Sequence, residues 1–421
     1  MNEFSKFFKK SKSERLGIIK KSTKLTQNEL SYIHNQTTNN EFERANKMIE
    51  NVIGTFSLPL GIATHFTVNN KNYIIPMVVE EPSIVAASSK AAKIANARGG
   101  FKARSGNQYS IGQVHIANCG DINKAIKQIV QNKKQILQLA NSKTHTLSKI
   151  NKGAKKISCR KITIDNNILL IVELLVDVGN AMGANITNSM CEAISSYLEK
   201  ITGGKSILKI LSNYSTSRMV TASAIFDKNK IGGSKTVNKI ILAYKIAMND
   251  EYRAVTHNKG IMNGIVSVAN ATCQDTRAIE AAAHAFASRT GRYLPLTNWT
   301  KNSNGDLIGV IELPLSVGTI GGVINIHPMA KLCLKILGIT SAKTLSCIIA
   351  SVGLAQNFAA LYALVTDGIQ KGHMKLHAKN IASAAGIKLE NIDMIVSKMI
   401  QANDISIQKA TSLQKQFCDY T

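Results

Sequence analysis

From Leu345 to Val365 the chain runs for 21 residues without a formal charge. A stretch of that length either crosses a bilayer or lies at the centre of a protein large enough to cover it on every side. Gln356 and Asn357 fall in its middle, and Ala, Ser and Gly dilute its apolar character. Amides are costly at mid-bilayer, whereas in a protein core they find partners or line a site. The stretch therefore reads as a buried helix with no membrane involved, and the rest of the chain has to supply its cover. With 421 residues there is enough chain for two or three domains and a sizeable core, without dependence on disulfides or metals.

A second apolar run, Leu169 to Val178 (LLIVELLVDV), is too short for a helix of that kind and reads as a buried central strand. Around it, from about 108 to 216, the pattern alternates. GQVHIA is a strand, Asn123 to Ala140 a Lys-rich helix, and Lys156 to Ile164 and Ile168 to Val178 are strands. Asn188 to Ile201 is a helix, and Ser206 to Leu211 a last strand. That order approximates a split β-α-β-β-α-β unit, the ferredoxin-like arrangement, inserted in a larger body. Before it, Met1 to about Glu43 reads as a basic helical arm carrying Leu16, Ile18, Ile19 and Leu25. A helix over Phe42 to Val52 stops at Gly54, a hairpin over Phe66 to Val79 turns through Asn69 to Asn72, and an Ala-rich helix covers Ile84 to Ala97. After it, Ser217 to Ile241 reads as a strand and a polar loop, Leu307 to Gly322 holds another strand, and Asn391 to Phe417 forms small packed helices. The expectation is an α/β (α+β) protein: a large mixed helix and sheet domain (1–107 and 217–367), an inserted small domain (108–216) and a C-terminal helical flap (368–421).

Fifty-two Lys and Arg against 26 Asp and Glu leave a net charge of +26. The charge is spread among Asn, Ser and Ile, with no long basic run and no aromatic-interleaved basic motif, so no nucleic-acid partner is expected. Such a field still draws in small polyanions. Seven scattered cysteines, with no C-x-x-C pair, read as reduced thiols in a cytoplasm and make zinc improbable. The N-terminal segment is charged throughout and lacks the apolar core of a secretory signal.

The chemistry concentrates between Tyr252 and Ala287 (YRAVTHNKGIMNGIVSVANATCQDTRAIEAAAHAFA). Lys259 lies beside His257, Asn258 and Asn263 in a segment otherwise rich in Ile, Met, Val, Ala and Gly. A cation placed in such apolar company stabilises a developing oxyanion; the bland alternative is a lysine snorkelling to solvent. Asp275 precedes a good helix start, and on its own it reads as an N-cap. Upstream, Glu80 and Glu81 stand where an apolar strand gives way to an apolar helix. A proton-donating carboxyl fits that place, and so do two acids favouring a helix N-terminus. Gly179-Asn180-Ala181-Met182-Gly183-Ala184-Asn185 joins a strand to a helix, a geometry that lets backbone approach a phosphate. There is no G-x-G-x-x-G, so an ordinary dinucleotide-binding unit is not supported. His373 and His377 share a helix face four residues apart, but Met374 occupies the place where a zinc protease needs Glu.

Six separated motifs give these ambiguous signals one reading. ENVIG with LPLGIA, VEEPSIVAA, NAMGAN, NKGIMNGI with D-x-R-A-x-E-A, GLAQN, and GHM-x-LH together resemble the class II, bacterial-type hydroxymethylglutaryl-coenzyme A reductases, over roughly residues 14 to 412. The resemblance implies a four-electron reduction of 3-hydroxy-3-methylglutaryl-coenzyme A to mevalonate and free coenzyme A, using two NADH or NADPH and no metal. It implies Glu81, Lys259, Asp275 and His373 as catalytic residues. Lys259 would hold the oxyanion, His373 would protonate the coenzyme A thiolate, Glu81 would give a proton to the aldehyde, and Asp275 would lie close to Glu81 and Lys259. Asn180, Met182, Gly183, Asn185 and Gln356 would meet the cofactor, and Ser83, Arg253, Asn263 and Asn357 the substrate. Asn180 stands where the family has Asp, which removes a negative charge and a strong acceptor. A homodimer, or a multiple of dimers with the site at the subunit interface, is implied as well. The same residues would serve the oxidative direction from mevalonate, and a non-catalytic polyanion-binding relative is the reading from another class.

Overall fold

The computed structural model describes residues 4–417 apart from 145–146, 148, 367 and 369–377. Three short helices open it: α1 (Lys12–Ser22), α2 (Gln27–Asn35) and α3 (Asn39–Asn46). Each begins with a reciprocal capping box, Ser11 with Glu14, Thr26 with Glu29 and Thr38 with Glu41. Two N–H groups that would otherwise be orphaned are satisfied at each start. The cap at Thr38 starts α3 ahead of the expected Phe42, and the helix ends at Asn46 rather than running to Val52. On the inner face of α1, Lys12 and Arg15 are buried and their charges rest largely on backbone carbonyls, those of His34 and Thr37 for Lys12 and of Phe8 and Val52 for Arg15.

The body is a six-stranded sheet in the order β2-β1-β3-β8-β10-β9. Strands β1 (Leu60–Val68) and β2 (Lys71–Val78) form the expected hairpin. Asn69 and Asn70 take left-handed φ of 51° and 66°, as a two-residue turn matched to strand twist requires. Helix α4 (Ile84–Asn96) and β3 (Phe101–Ser105) follow. The chain then leaves to build a second sheet from β4 (Tyr109–Ala117), β5 (Gly153–Ile164), β6 (Asn167–Asp177) and β7 (Lys205–Ser212). Its order, β5-β6-β4-β7, is antiparallel throughout and matches the ferredoxin-like arrangement. The apolar run beginning at Leu169 is the inner strand β6, with Leu170, Val172, Leu174 and Val176 facing the helices of this unit. The single helix expected over Asn123 to Ala140 is two, α5 (Ile122–Gln131) and α6 (Lys133–Asn141). Asn132 breaks it, turning its amide back onto the Gln128 carbonyl and accepting the Tyr197 hydroxyl. Helix α7 (Ala184–Thr202) starts four residues before the expected Asn188.

The chain returns through β8 (Met219–Phe226). What the Lys and Asn content suggested as a polar loop is instead α8 (Gly233–Asn249), anchored by Val237 and Ile240, whose apolar contacts outweigh the polar composition. Then come α9 (Glu251–Ala271), α10 (Thr276–Ala287), β9 (Thr297–Lys301), β10 (Leu307–Pro314), α11 (Pro328–Leu337) and α12 (Ala342–Val365). Among the described residues α12 is the one helix long and apolar enough to cross a membrane. It lies inside the body, packed on α9, α4 and strands β3, β8 and β10. Helices α13 (Leu389–Gln401) and α14 (Ile407–Phe417) enclose a small third core around Ile395, Met399 and Leu413.

Two close approaches fix this packing. A Cβ on Gly264 of α9 would stand 3.0 Å from the Gln356 Cβ, and one on Gly353 of α12 would stand 2.9 Å from Ile265. On β10, Gly309 leaves room for the buried Trp299 ring, which a Cβ would meet at 2.4 Å. Gly309→Ala should therefore overpack the sheet and destabilise the chain by about 1–3 kcal/mol, read as a lowered denaturation midpoint. An unchanged midpoint would mean that the ring has room to shift.

Candidate functional site

Three elements converge on one cavity of about 270 Å³. The turn after β2 supplies Glu81 and Ser83, α9 supplies Arg253, His257, Lys259 and Asn263, and α12 supplies Gln356 and Asn357. On α9 the spacing 253, 256, 257, 260 and 263 is that of one helix face, so a regular helix delivers this array without special geometry. Ser83 is different. It is the N-cap of α4 but has φ +73°, a conformation that a non-glycine residue adopts only where the surroundings enforce it. Its Oγ is buried and without a partner among the described residues.

Lys259 Nζ lies 2.9 Å from Glu81 Oε2. The ion pair also borders a second cavity of about 350 Å³, lined by Glu80, Asn270, Glu280 and His284 together with Glu81, Lys259 and Asn263. The pair thus stands between two hollows. Sequence placed Lys259 in apolar surroundings, and here the structure differs: its side chain is 61% exposed, and that of Glu81 is 39% exposed. Asn258, Ile261 and Met262 turn inward on α9 while Lys259 turns out. An ion pair this open adds little to stability and stays free to exchange partners.

Asp275 takes the capping role. Its side chain accepts the Ala278 N–H at 3.0 Å, with Arg277 Nε 3.5 Å away. Among the described residues it makes no hydrogen bond or ion pair with Glu81 or Lys259. His373 lies outside the described residues.

The 179–185 segment forms a tight loop between β6 and α7. Gly179 and Gly183 have φ of +60° and +91°, and a Cβ on Gly183 would collide with Val178 at 2.4 Å. Helix α7 begins at Gly183 with no side-chain cap, so its first N–H groups are free for an anion. This backbone fits the phosphates of a nicotinamide dinucleotide. Asn180 Oδ1 accepts the Ala342 N–H at 3.1 Å, and its backbone carbonyl accepts the Thr319 N–H at 2.8 Å. The oxygen used is the one that Asn and Asp share, so the loop keeps its anchor without the carboxylate. Asn185 is exposed at the start of α7. The Met182 carbonyl accepts from Arg218, a buried arginine that sequence reasoning did not single out. Gln356 stands apart from this group: it lines the 270 Å³ cavity, 14 residues along α12 from Ala342, or about 21 Å of helical rise. Glu280, His284 and Thr297 were missed as well. His284 shares a helix with the capping Asp275 and pairs with the Tyr293 hydroxyl at 2.7 Å; nothing in its sequence setting separates it from a core histidine.

Comparison with known proteins bears on this arrangement. A family model described as hydroxymethylglutaryl-coenzyme A reductase matches residues 11–378. The 3-hydroxy-3-methylglutaryl-coenzyme A reductase of Archaeoglobus fulgidus is 45% identical over 404 residues, 96% of this chain and 92% of the relative. A probable reductase of the same name from Borreliella burgdorferi is 36% identical, over 94% and 91%. Among solved structures, the class II 3-hydroxy-3-methylglutaryl-CoA reductase from Streptococcus pneumoniae, bound to NADPH in open conformations, superposes with a TM-score of 0.76 at 40% identity, covering 97% of this chain and 99% of that one. With its strands, inserted sheet and motif-bearing loops in place, the chain belongs to the hydroxymethylglutaryl-coenzyme A reductase family and is an NAD(P)H-dependent oxidoreductase.

Proposed function

We propose that the Lys259–Glu81 pair is the reacting centre for the family's reduction of 3-hydroxy-3-methylglutaryl-coenzyme A to mevalonate. The observation that carries this is the 2.9 Å ion pair at the mouth of a cavity that also gathers Ser83, Arg253, Asn263 and Asn357. When bound, the nicotinamide cofactor supplies hydride to a carbonyl carbon, once at the thioester and once at the aldehyde. Lys259 holds the negative charge that develops on the carbonyl oxygen. Glu81, in hydrogen-bond contact with Lys259, passes a proton to the alkoxide of the second reduction. When the carbon–sulfur bond breaks, the departing thiolate takes its proton from His373. Arg253 offers a fixed cation, and the unpartnered Ser83 Oγ a hydroxyl, to the carboxylate of the substrate. Asn180, Met182, Gly183 and Asn185 border the cofactor's phosphates, with NADH or NADPH as donor. Gln356 meets the cofactor only where the nicotinamide end reaches the acyl cavity.

Asp275 joins the site in this reading when a second copy covers it. The exposed Lys259, with Val255 (53% exposed) and Leu364 (43% exposed) nearby, supports an active site closed by a partner subunit in a dimer or multiple of dimers. The division into a body (1–107 and 217–367), an inserted cofactor unit (108–216) and a C-terminal helical unit (368–421) belongs to the same reading. The separate cores of the two sheets support it. Cytoplasmic placement rests on the free, scattered cysteines.

Three outcomes test this. Purified chain should oxidise NADH or NADPH only when hydroxymethylglutaryl-coenzyme A is present, and Lys259→Ala should lower kcat by roughly 10²–10³-fold while remaining folded; a loss below tenfold removes Lys259 from the oxyanion. Light scattering should give twice the 45.6 kDa chain mass or a multiple of that dimer, and an active monomer would refute the shared site. Asn180→Asp should retain the Ala342 contact and raise stability by about 0.3–1 kcal/mol, because a carboxylate there faces the start of α12. A lowered melting temperature would show that the acceptor is not what anchors the loop.

A further inference from the structure

Trp299 is the single tryptophan of the chain and is buried against α12. Its indole Nε1–H can only donate, and it does so to the Asn357 side chain at 2.9 Å. The receiving atom must therefore be the amide oxygen, which removes the usual ambiguity between the two ends of the amide. The same oxygen receives the Thr297 hydroxyl proton at 3.0 Å. That hydroxyl has one proton to give, so His257 Nε2, 2.6 Å from the same Oγ, has to be the N–H that donates to it. Burial, and then the charge of Arg253, push His257 down to about 3, so the ring is neutral at physiological pH and its one proton is the one on Nε2. The bonds therefore run in one direction, from His257 to Thr297 to Asn357, with Trp299 closing the second acceptor site.

The consequence falls on the other end of the amide. With Asn357 Oδ1 doubly occupied, Nδ2 is left with no partner among the described residues, on a side chain that lines the cavity beside Arg253 and Lys259. Its neighbour repeats the device: Gln356 Oε1 accepts the Ser88 hydroxyl at 2.5 Å from behind. The cavity wall is thereby biased toward donors. We infer that His257 is a positioning residue: acting through Thr297, it locks Asn357 as a hydrogen-bond donor to a carboxylate oxygen of the bound acyl substrate. This rests on the reading of the cavity as the acyl site. Without the relay the Trp299 bond alone opposes rotation of the amide, and a turned amide would present an oxygen to an anion.

The test uses the full chain, with Thr297→Val to break the relay at constant shape and Thr297→Ser to restore it. Thr297→Val should raise the KM for hydroxymethylglutaryl-coenzyme A about 10- to 30-fold, with kcat within about threefold, and Thr297→Ser should return KM to near the wild-type value. An independent readout is the single indole N–H resonance of ¹⁵N-labelled protein. Free 3-hydroxy-3-methylglutarate should shift it in the wild type and in Thr297→Ser, and fail to do so at the same concentration in Thr297→Val. If Thr297→Val does not fold, His257→Leu takes its place with the same expectations. A wild-type KM in the relay-broken variant overturns the inference, as does an equal loss of kcat and kcat/KM with no change in KM. Turnover with an unresponsive indole overturns it while leaving the site reading intact; a wild-type chain with neither turnover nor indole response overturns both.

Discussion

Everything at the site depends on two helices lying closer together than ordinary side chains permit. Helices α9 and α12 cross where Gly264 faces Val352 and Gln356, and where Gly353 faces Ile261 and Ile265. Interaxial distances of about 8–10 Å depend on the side chains at the contact, and a glycine from each helix brings the backbones to the near end of that range. Arg253, His257, Lys259 and Asn263 lie on one helix, and Gln356 and Asn357 on the other. The cavity between them has its width set by those glycines, and the apolar remainder of α12 holds the crossing rigid against the large sheet. The same stretch is apolar enough to suggest a membrane span and rigid enough to fix Gln356 and Asn357 in the cavity wall, because both properties follow from a helix buried all round.

The folded chain shows why part of this was readable and part was not. Periodicity and turn chemistry located the Asn69-Asn70 hairpin, the β6 strand and the ferredoxin-like order, since each is a local pattern that tertiary contacts reinforce. Helix α8 was not readable, because its Lys, Asn and Ser residues are spread along it and its fully buried residues are three, Val237, Ile240 and Ala247. The break at Asn132 depends on Tyr197, 65 residues away, and no local rule reports it. At the site, Lys259, Glu81, Ser83, Arg253 and Asn357 were identifiable only because whole motifs resembled a family. Singly, each had a bland alternative, and Asp275 in an isolated chain indeed acts as a cap. Thr297 and Ser88 could not have been found, since their importance lies in which amide oxygen they stand behind.

Taken together, the groups around the 270 Å³ cavity have a common sign. Arginine and lysine are donors without acceptor capacity, and two amides have their oxygens tied down from behind. Fixed donors aimed into a shared space stabilise anionic oxygen without reorganising when charge appears, which is how a site can favour both a carboxylate and a developing alkoxide. The open Lys259–Glu81 pair is the exception, and it brings in the one carboxylate of the described wall.

Arg218 has a bearing on how the chain behaves in salt. It is buried at the seam between the two sheets, donating to the Met182 carbonyl and to Ser316 Oγ, and burial lowers it to about 10, so it stays charged at neutral pH. Ions in solution cannot gather around a charge sealed in this way, whereas they readily cloak the surface lysines that make up most of the +26. Raising ionic strength therefore separates two contributions to the field around the 179–185 loop. The long-range pull of the surface lysines fades, while the local potential beneath the 179–185 loop persists, so a small anion is drawn in more slowly in salt yet meets the same fixed charge at the loop.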